Sequence, residues 1–364
     1  MTRSNRTPTS PLRQKSSPVA GSARKKPKET ERYESAEAVS PDLGSGLSVQ
    51  QRVIDSEEAG QRLDNYLLRH LKGVPKSRIY KIVRSGEVRI NKGRCQPDQR
   101  LNEGDVLRLP PVRCAAFSED KPPVAPIIDL PVLYEDESLI ALNKPCGVAV
   151  HGGSGLAWGL IEALRAQRPE ARFLELAHRL DRETSGVLLV AKKRAALVAL
   201  HDMFREQRGD KRYLALVPGV WAEKSVKVTL PLVKYLTAEG ERRVRIAKGR
   251  DLQSPEVKPS ETHFRLKKQY PGYALVEAKL KTGRTHQIRV HLAALGYPIV
   301  GDDKYGDFAL NKSLANAKQL ERMFLHAAMM RCKHPVTGEP LNVDAPLPPE
   351  LESFLALLER NNSL

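Results

Sequence analysis

A short apolar run set directly behind a dense cluster of charge constrains this chain more than any other feature. Val187-Leu188-Leu189-Val190-Ala191 has no polar interruption and reads as a strand buried in a core. Immediately before it, His178-Arg179-Leu180-Asp181-Arg182-Glu183 places five ionisable side chains in six consecutive positions, and Thr184-Ser185-Gly186 makes the junction. A charged loop feeding a core strand puts Asp181 on a rigid support beside the interior, where neighbours can tune a carboxylate. On spacing alone, a surface loop laced with ion pairs explains the same residues.

Around this stretch, strand-like and helix-like segments interleave without an internal repeat. Strand patterns fall at Val132-Leu133-Tyr134, Leu139-Ile140-Ala141-Leu142, 187–191, Tyr213-Leu214-Ala215-Leu216-Val217, 242–247, 261–268, 273–281 and 323–332. Helical patterns fall around 156–167, 194–207 and 285–295. Separate helices among strand runs, in place of a regular strand–helix–strand array, predict an α+β fold with a mainly antiparallel mixed sheet. A length of 364 residues exceeds one average domain, and 40% hydrophobic content suffices for real cores.

The formal net charge of +17 and pI near 9.7 favour an anionic polymer or anionic membrane surface as partner. No apolar run approaches the roughly 20 residues of a membrane span, and the N-terminus lacks the apolar segment of a signal peptide. The expectation is a soluble, cytoplasmic protein with no membrane association. Cys95, Cys114, Cys146 and Cys332 are scattered without metal-ligand spacing and read as reduced thiols, not as a disulfide framework or zinc site.

Residues 1–48 are rich in Ser, Pro, Thr, Arg and Lys and nearly empty of large apolar side chains, which predicts a disordered basic tail. From 50 to 113 a compact basic module is expected. Leu63, Tyr66, Leu67 and Leu71 recur at helical spacing, and a second helix carries Ile79, Ile82 and Val83 on one face up to Gly86. A strand at 87–91, a turn at Asn91-Lys92-Gly93 and a closing strand at 106–110 follow. Arg78, Lys81, Arg84, Arg89, Lys92 and Arg94 form a candidate basic face. Residues 114–130, with Lys121-Pro122-Pro123 and Pro126, read as a semi-extended linker to a long domain over 131–358.

Several separated motifs resemble known families. The phrases QRLDNYL, SRIYKIVRSGEVRIN and LNEGDVLRL of residues 50–113 resemble the S4 RNA-binding domain. In the long domain, His178-Arg179-Leu180-Asp181-Arg182-Glu183-Thr184-Ser185-Gly186 resembles the catalytic signature of the pseudouridine synthases, in the branch that acts on ribosomal and transfer RNA. Leu142-Asn143-Lys144-Pro145, Lys211-Arg212-Tyr213-Leu214-Ala215-Leu216-Val217 and Leu280–His291, which contains Gly283-Arg284-Thr285-His286-Gln287-Ile288-Arg289, resemble that family's other motifs in the same order. With the S4 phrases and Val150-His151-Gly152-Gly153-Ser154-Gly155, the resemblance lies nearest to members acting on large-subunit ribosomal RNA. It spans most of 130–348.

What the resemblance implies is specific. The N1–C1′ bond of a uridine breaks, the uracil rotates, and C5 joins C1′, with no redox change and no net hydrolysis; neither metal nor organic cofactor is required. Asp181 takes the nucleophile's position. Attack at C6, attack at C1′ and passage through a glycal all require its carboxylate to be ionised. Arg284 matches the basic partner of that carboxylate, with Arg289 the less favoured candidate. Tyr213 matches a tyrosine that stacks on uracil; an unperturbed phenol titrates near 10, so stacking is expected before proton transfer. Arg179 matches the residue that fills the space left by a flipped nucleotide, unless it pairs with Glu183. His178 is expected to order the loop.

Other readings weigh less. His151-Gly152-Gly153-Ser154-Gly155 lacks a G-x-S-x-G partner and is not a phosphate loop. His286 and His291 miss the zinc-pair spacing, and Asp302-Asp303 is expected to be a solvated turn. A transfer-RNA synthase, or a non-catalytic RNA-binding assembly factor, are the competing functions; joint presence of Asp181, Tyr213 and Arg284 favours the enzyme. A monomer is the expected state, since RNA supplies the partner surface.

Overall fold

A computed structural model describes residues 48–71, 74–112, 126–152, 158–317 and 319–360. The basic tail, apart from Ser48, lies outside these, as do most of the expected linker, Cys114 and Gly153-Ser154-Gly155.

The first module is a four-stranded antiparallel sheet with two helices. Its elements are β1 (Gln50–Val53), α1 (Leu63–His70), α2 (Lys76–Arg84), β2 (Arg89–Ile90), β3 (Gly93–Arg94) and β4 (Val106–Leu109), with strand order β1-β4-β2-β3. The periodicity expectation holds: Leu63, Tyr66, Leu67, Leu71, Ile79, Ile82 and Val83 all enter one buried core with Val88, Ile90 and Leu107. Asn91 and Lys92, both at positive φ, make the two-residue turn between β2 and β3. Both central positions left-handed is the geometry whose twist matches antiparallel strands.

The larger domain runs β5 (Val132–Glu135), β6 (Leu139–Lys144), α3 (Leu160–Gln167), β7 (Glu175–Leu176), β8 (Ser185–Ala191), α4 (Arg194–Arg205), β9 (Asp210–Pro218), β10 (Ser225–Val228), β11 (Leu232–Leu236), β12 (Arg242–Ile246), β13 (Thr262–Tyr270), β14 (Tyr273–Leu280), α5 (Gln287–Ala294), α6 (Phe308–Asn316), β15 (Leu325–Lys333), β16 (Pro340–Asp344) and α7 (Pro349–Arg360). One ten-stranded sheet follows the order β10-β13-β14-β9-β15-β8-β6-β5, with β16 on β15 and β7 on β8; β11 and β12 form a separate hairpin. Every pairing in the large sheet is antiparallel except β8 with β15. The fold is therefore α+β and mainly antiparallel, as expected.

Strand β8 shows why its sequence is apolar without interruption. All seven residues are buried. Side chains alternate between faces: Leu188 and Val190 join Leu160, Ile161 and Leu164 of α3, while Val187, Leu189 and Ala191 join Ala196, Leu197, Leu200 and Met203 of α4. Two cores, one on each side, leave no position for a polar residue from Val187 to Ala191. Each Val or Leu so buried contributes roughly 1.5–3 kcal/mol.

Gly186 makes the close approach to β15 possible. Its φ is +109°, and an added Cβ would sit 2.2 Å from the Ala327 carbonyl oxygen. Backbone cannot yield as a side-chain tip can. Gly186→Ala is expected to cost about 4 kcal/mol or more, the range reached by strain at special backbone positions. At roughly 2–4 °C per kcal/mol for a domain of this size, the melting temperature should fall by about 10 °C; an unchanged transition would refute the close-approach argument.

Candidate active site

The loop 178–184 is held through the Arg182 carbonyl and the His178 ring. Lys144, fully buried, uses all three ammonium protons on the carbonyls of Pro145 (2.8 Å), Val148 (2.6 Å) and Arg182 (3.0 Å). Burial holds its pKa down, to about 8. The Lys-Pro motif thus acts as a clamp between β6 and the charged loop. The His178 Nε2 accepts from Leu189 N–H at 3.0 Å, which makes it an unprotonated nitrogen on a ring packed edge-on to Phe204. At the start of β8, Arg322 donates to Ser185 Oγ (2.7 Å), Ser185 pairs with His326 Nδ1 (2.9 Å), and His326 Nε2 reaches the Ala345 carbonyl (3.2 Å).

Burial depresses both imidazoles, His178 to about 3 and His326 to about 4. An unfolded histidine titrates near 6.5, so below that pH the unfolded chain binds protons that the folded chain does not. Stability is then complete above about pH 7 and declines as pH falls toward 4, by up to about 1.4 kcal/mol per pH unit for each ring. Urea midpoints measured from pH 7.5 to 4.5 should fall steadily. A flat profile between pH 7 and 5 would contradict neutral burial of these rings.

Above the clamp lies a cleft of about 520 Å³ lined by the loop, by Lys211 and Tyr213 of β9, and by residues 283–289 leading into α5. Asp181, with 18% of its side chain exposed, sits at its wall. Arg289 Nη1 lies 3.7 Å from Asp181 Oδ2, and His286 Nε2 lies 4.0 Å from the same oxygen. The basic partner expected at Arg284 is thus at Arg289. Arg284 is exposed: its Nε donates to the Pro259 carbonyl (3.1 Å), while its backbone N–H is fixed by Gln287 Oε1 (3.0 Å). The physical reason is burial by α5. Arg289 falls in the first turn of α5, on a helix buried on every side from Gln287 to Leu292, whereas Arg284 precedes the helix at the rim.

Arg289 is itself anchored. Its Nε and Nη2 make a two-pronged pair with Asp302 (2.7 and 2.6 Å), and Nη2 also reaches Asp303 (3.0 Å). Asp302 is completely buried and accepts from the backbone of Lys304 and Tyr305. Burial alone would raise its pKa; the guanidinium overrides this and holds it below the usual value. The expectation of a solvated Asp302-Asp303 turn is therefore corrected for Asp302, which is the buried support of the arginine beside Asp181.

Tyr213 is nearly buried, its ring in the main core and its edge on the cleft. Burial, reinforced by the Asp181 charge, holds its phenol above the ordinary value. A phenolate is thus disfavoured here, which suits a stacking surface better than a base. Arg179 is exposed and lines both this cleft and an adjoining one of about 530 Å³ that shares Asp181. The alternative ion pair with Glu183 is taken by Arg182 at 2.6 Å, so Arg179 has no ion-pair partner among the described residues.

Sequence spacing raises His286 only as a metal ligand; the structure gives it another place. It caps α5 in the left-handed conformation (φ 53°), a strained state for a non-glycine residue and one that clusters at active sites. Tyr305 Oη accepts from Val244 N–H (2.9 Å) and is hydrogen-bonded to His286 Nδ1 (2.8 Å). The other ring nitrogen, Nε2, faces Asp181. Spacing carries no signal for this chain of contacts, because it joins β12, the loop before α6 and the start of α5.

Residues 138–294 match the RNA pseudouridylate synthase family, and residues 61–107 match the S4 domain. A protein of Pasteurella multocida (strain Pm70) named ribosomal large subunit pseudouridine synthase C is 50% identical over 322 residues, covering 87% of this chain and 96% of that one. The chain belongs to the RNA pseudouridylate synthase family. A Yersinia pestis protein of the same name is 52% identical to this synthase over 320 residues, covering 86% and 97% of the two chains. The solved structure of human RNA pseudouridylate synthase domain containing 1 is 30% identical, covers 62% of the synthase and 88% of its own chain, and superposes with a TM-score of 0.51.

In the synthase, the S4 helix α2 turns Arg78, Lys81 and Arg84 outward, and Lys92 and Arg94 are exposed on the hairpin. None of these five forms an ion pair among the described residues. Arg89 is half-buried and spends its guanidinium on the Gly86 and Lys92 carbonyls, so it shapes the turn.

Proposed function

We propose that this synthase isomerises specific uridines of large-subunit ribosomal RNA, with Asp181 as the nucleophile acting on a flipped nucleotide. The observation that carries the reading is Asp181 lining a cleft beside a buried, anchored arginine, with Tyr213 lining the same cleft. Relatives about half identical over nearly their whole length, named for the ribosomal large subunit, support the substrate. The reaction balances within the substrate: N1–C1′ breaks, C5–C1′ forms, the C5 proton leaves and N1 gains one. Arg289 supplies the positive charge beside the carboxylate, Tyr213 stacks on uracil, and Arg179 fills the vacated stack. The enzyme works as a cytoplasmic monomer, residues 50–113 gripping RNA and 131–358 doing the chemistry, joined by the linker 114–130.

The test is pseudouridine mapping at nucleotide resolution on unmodified large-subunit RNA incubated with the purified protein. Conversion at discrete uridines is expected; silence on this RNA with conversion of transfer RNA would move the substrate, and silence on both with binding intact would favour an assembly factor. The S4 role has its own readout. Converting Arg78, Lys81 and Arg84 to Gln should flatten the dependence of log affinity on log salt by roughly 0.7–0.9 for each phosphate no longer neutralised. An unchanged slope would remove that face from the RNA interface.

A further inference from the structure

Arg284, displaced from the carboxylate by Arg289, borders a second cleft. We propose that this cleft is a nucleotide subsite that holds the phosphate and base adjoining the reacting uridine in the substrate strand. The inference rests on the isomerase reading above and extends it.

The cleft measures about 280 Å³ and meets the Asp181 cleft along a shared rim, Gly283-Arg284-Thr285. A uridine turned into the first cleft remains bonded to both neighbours through its sugar and phosphates. Its strand must therefore cross a rim, and whatever lies beyond receives the next residue. The floor beyond Arg284 is apolar, made by Leu232, Val233 and Val244 of the β11–β12 hairpin, each less than a tenth exposed. Such a floor suits the face of a base. Lys234, Lys258 and Arg284 stand exposed around it against one acid, Glu256.

Arg284 is built for the phosphate. Its Nε is fixed on the Pro259 carbonyl and its backbone on Gln287, while both Nη groups have no partner among the described residues. That leaves a planar, pre-oriented fork of the kind that binds phosphate in a two-pronged manner. The cleft on the other side is less suitable. There Arg182 is paired with Glu183, Arg289 with Asp302 and Asp303, and Lys304 with Glu241, and Arg179, the unpaired arginine of that cleft among the described residues, is assigned above to the vacated stack.

The test is a double-substitution cycle on a stem-loop RNA carrying a mapped target uridine. The linkage on its 5′ or 3′ side is made a neutral methylphosphonate, and each RNA is assayed with wild type and Arg284→Gln under single-turnover conditions. For wild type, neutralising one of the two linkages should weaken RNA binding about ten- to a hundred-fold, the scale of a charge-assisted hydrogen bond, with the rate at saturating enzyme nearly unchanged. Arg284→Gln should lose a similar factor on normal RNA and less than about twofold more on the modified RNA; its salt slope should fall by about 0.7. Losses that multiply independently at both linkages would overturn the subsite. If Arg284→Gln melts early, Lys258→Gln serves in the same cycle and must show the same coupling. Wild type inactive on normal RNA would bring down the isomerase reading and the subsite together, whereas full activity with uncoupled losses would bring down the subsite alone.

Discussion

Asp181→Asn is expected to lower single-turnover pseudouridine formation by on the order of 10⁴-fold or more, the scale seen when a covalent nucleophile is removed. The amide keeps the volume and one acceptor oxygen but cannot attack carbon as a carboxylate does. RNA affinity should stay within about twofold, because Arg179, the S4 cations and the cleft walls are untouched. Stability should change little, since Asp181 is partly exposed and its contacts to Arg289 and His286 are long, at 3.7 and 4.0 Å. Rate, affinity and melting temperature measured together separate the outcomes. Wild-type turnover by the variant would remove Asp181 from the chemistry; loss of rate with loss of folding would make it a structural residue.

The second large effect is at Arg289. Its guanidinium is 2% exposed and joined to Asp302, which is not exposed at all. Arg289→Met leaves a buried carboxylate uncompensated, at a cost of about 3–5 kcal/mol, and strips the positive charge from beside Asp181. Both stability and turnover should collapse. The double variant Arg289→Met/Asp302→Asn distinguishes the two roles. The amide removes the uncompensated charge and keeps an oxygen to accept from Lys304 and Tyr305 N–H, so the melting temperature should largely return while turnover stays lost. Recovery of both would mean Arg289 only supports the fold. Arg284→Gln, an exposed substitution, should stay within about 0.5 kcal/mol of wild type, which separates the two arginines that the motif places five residues apart.

Much of this architecture is legible in the residues. Period-2 and helical patterns locate α1, α2, α4, α5 and most strands of the large sheet, because burial of one face writes itself into local spacing. The core positions of the first module, Leu63 to Val83, all follow from it. The candidate site is legible as far as motif resemblance reaches: Asp181, Tyr213 and Arg179 do converge on one cleft. Elements without strong periodicity, such as β10, β11, β16, α6 and α7, leave no comparable trace, nor does the helix start displaced to Gln287 by the left-handed His286.

The sequence by itself determined which segments become strands and helices, which charged loop sits on a core strand, and which carboxylate, phenol and arginine are available. Those properties depend on neighbours along the chain, where side-chain period and loop chemistry act. Tertiary structure alone decided the pairings. It chose Arg289 over Arg284 beside Asp181, made Asp302 a buried anchor instead of a solvated turn, and set Lys144 on carbonyls from two separate loops. Each is a choice among groups distant in sequence, made by which of them the packed sheet and α5 shut away from water, where a charge must find a partner or be excluded.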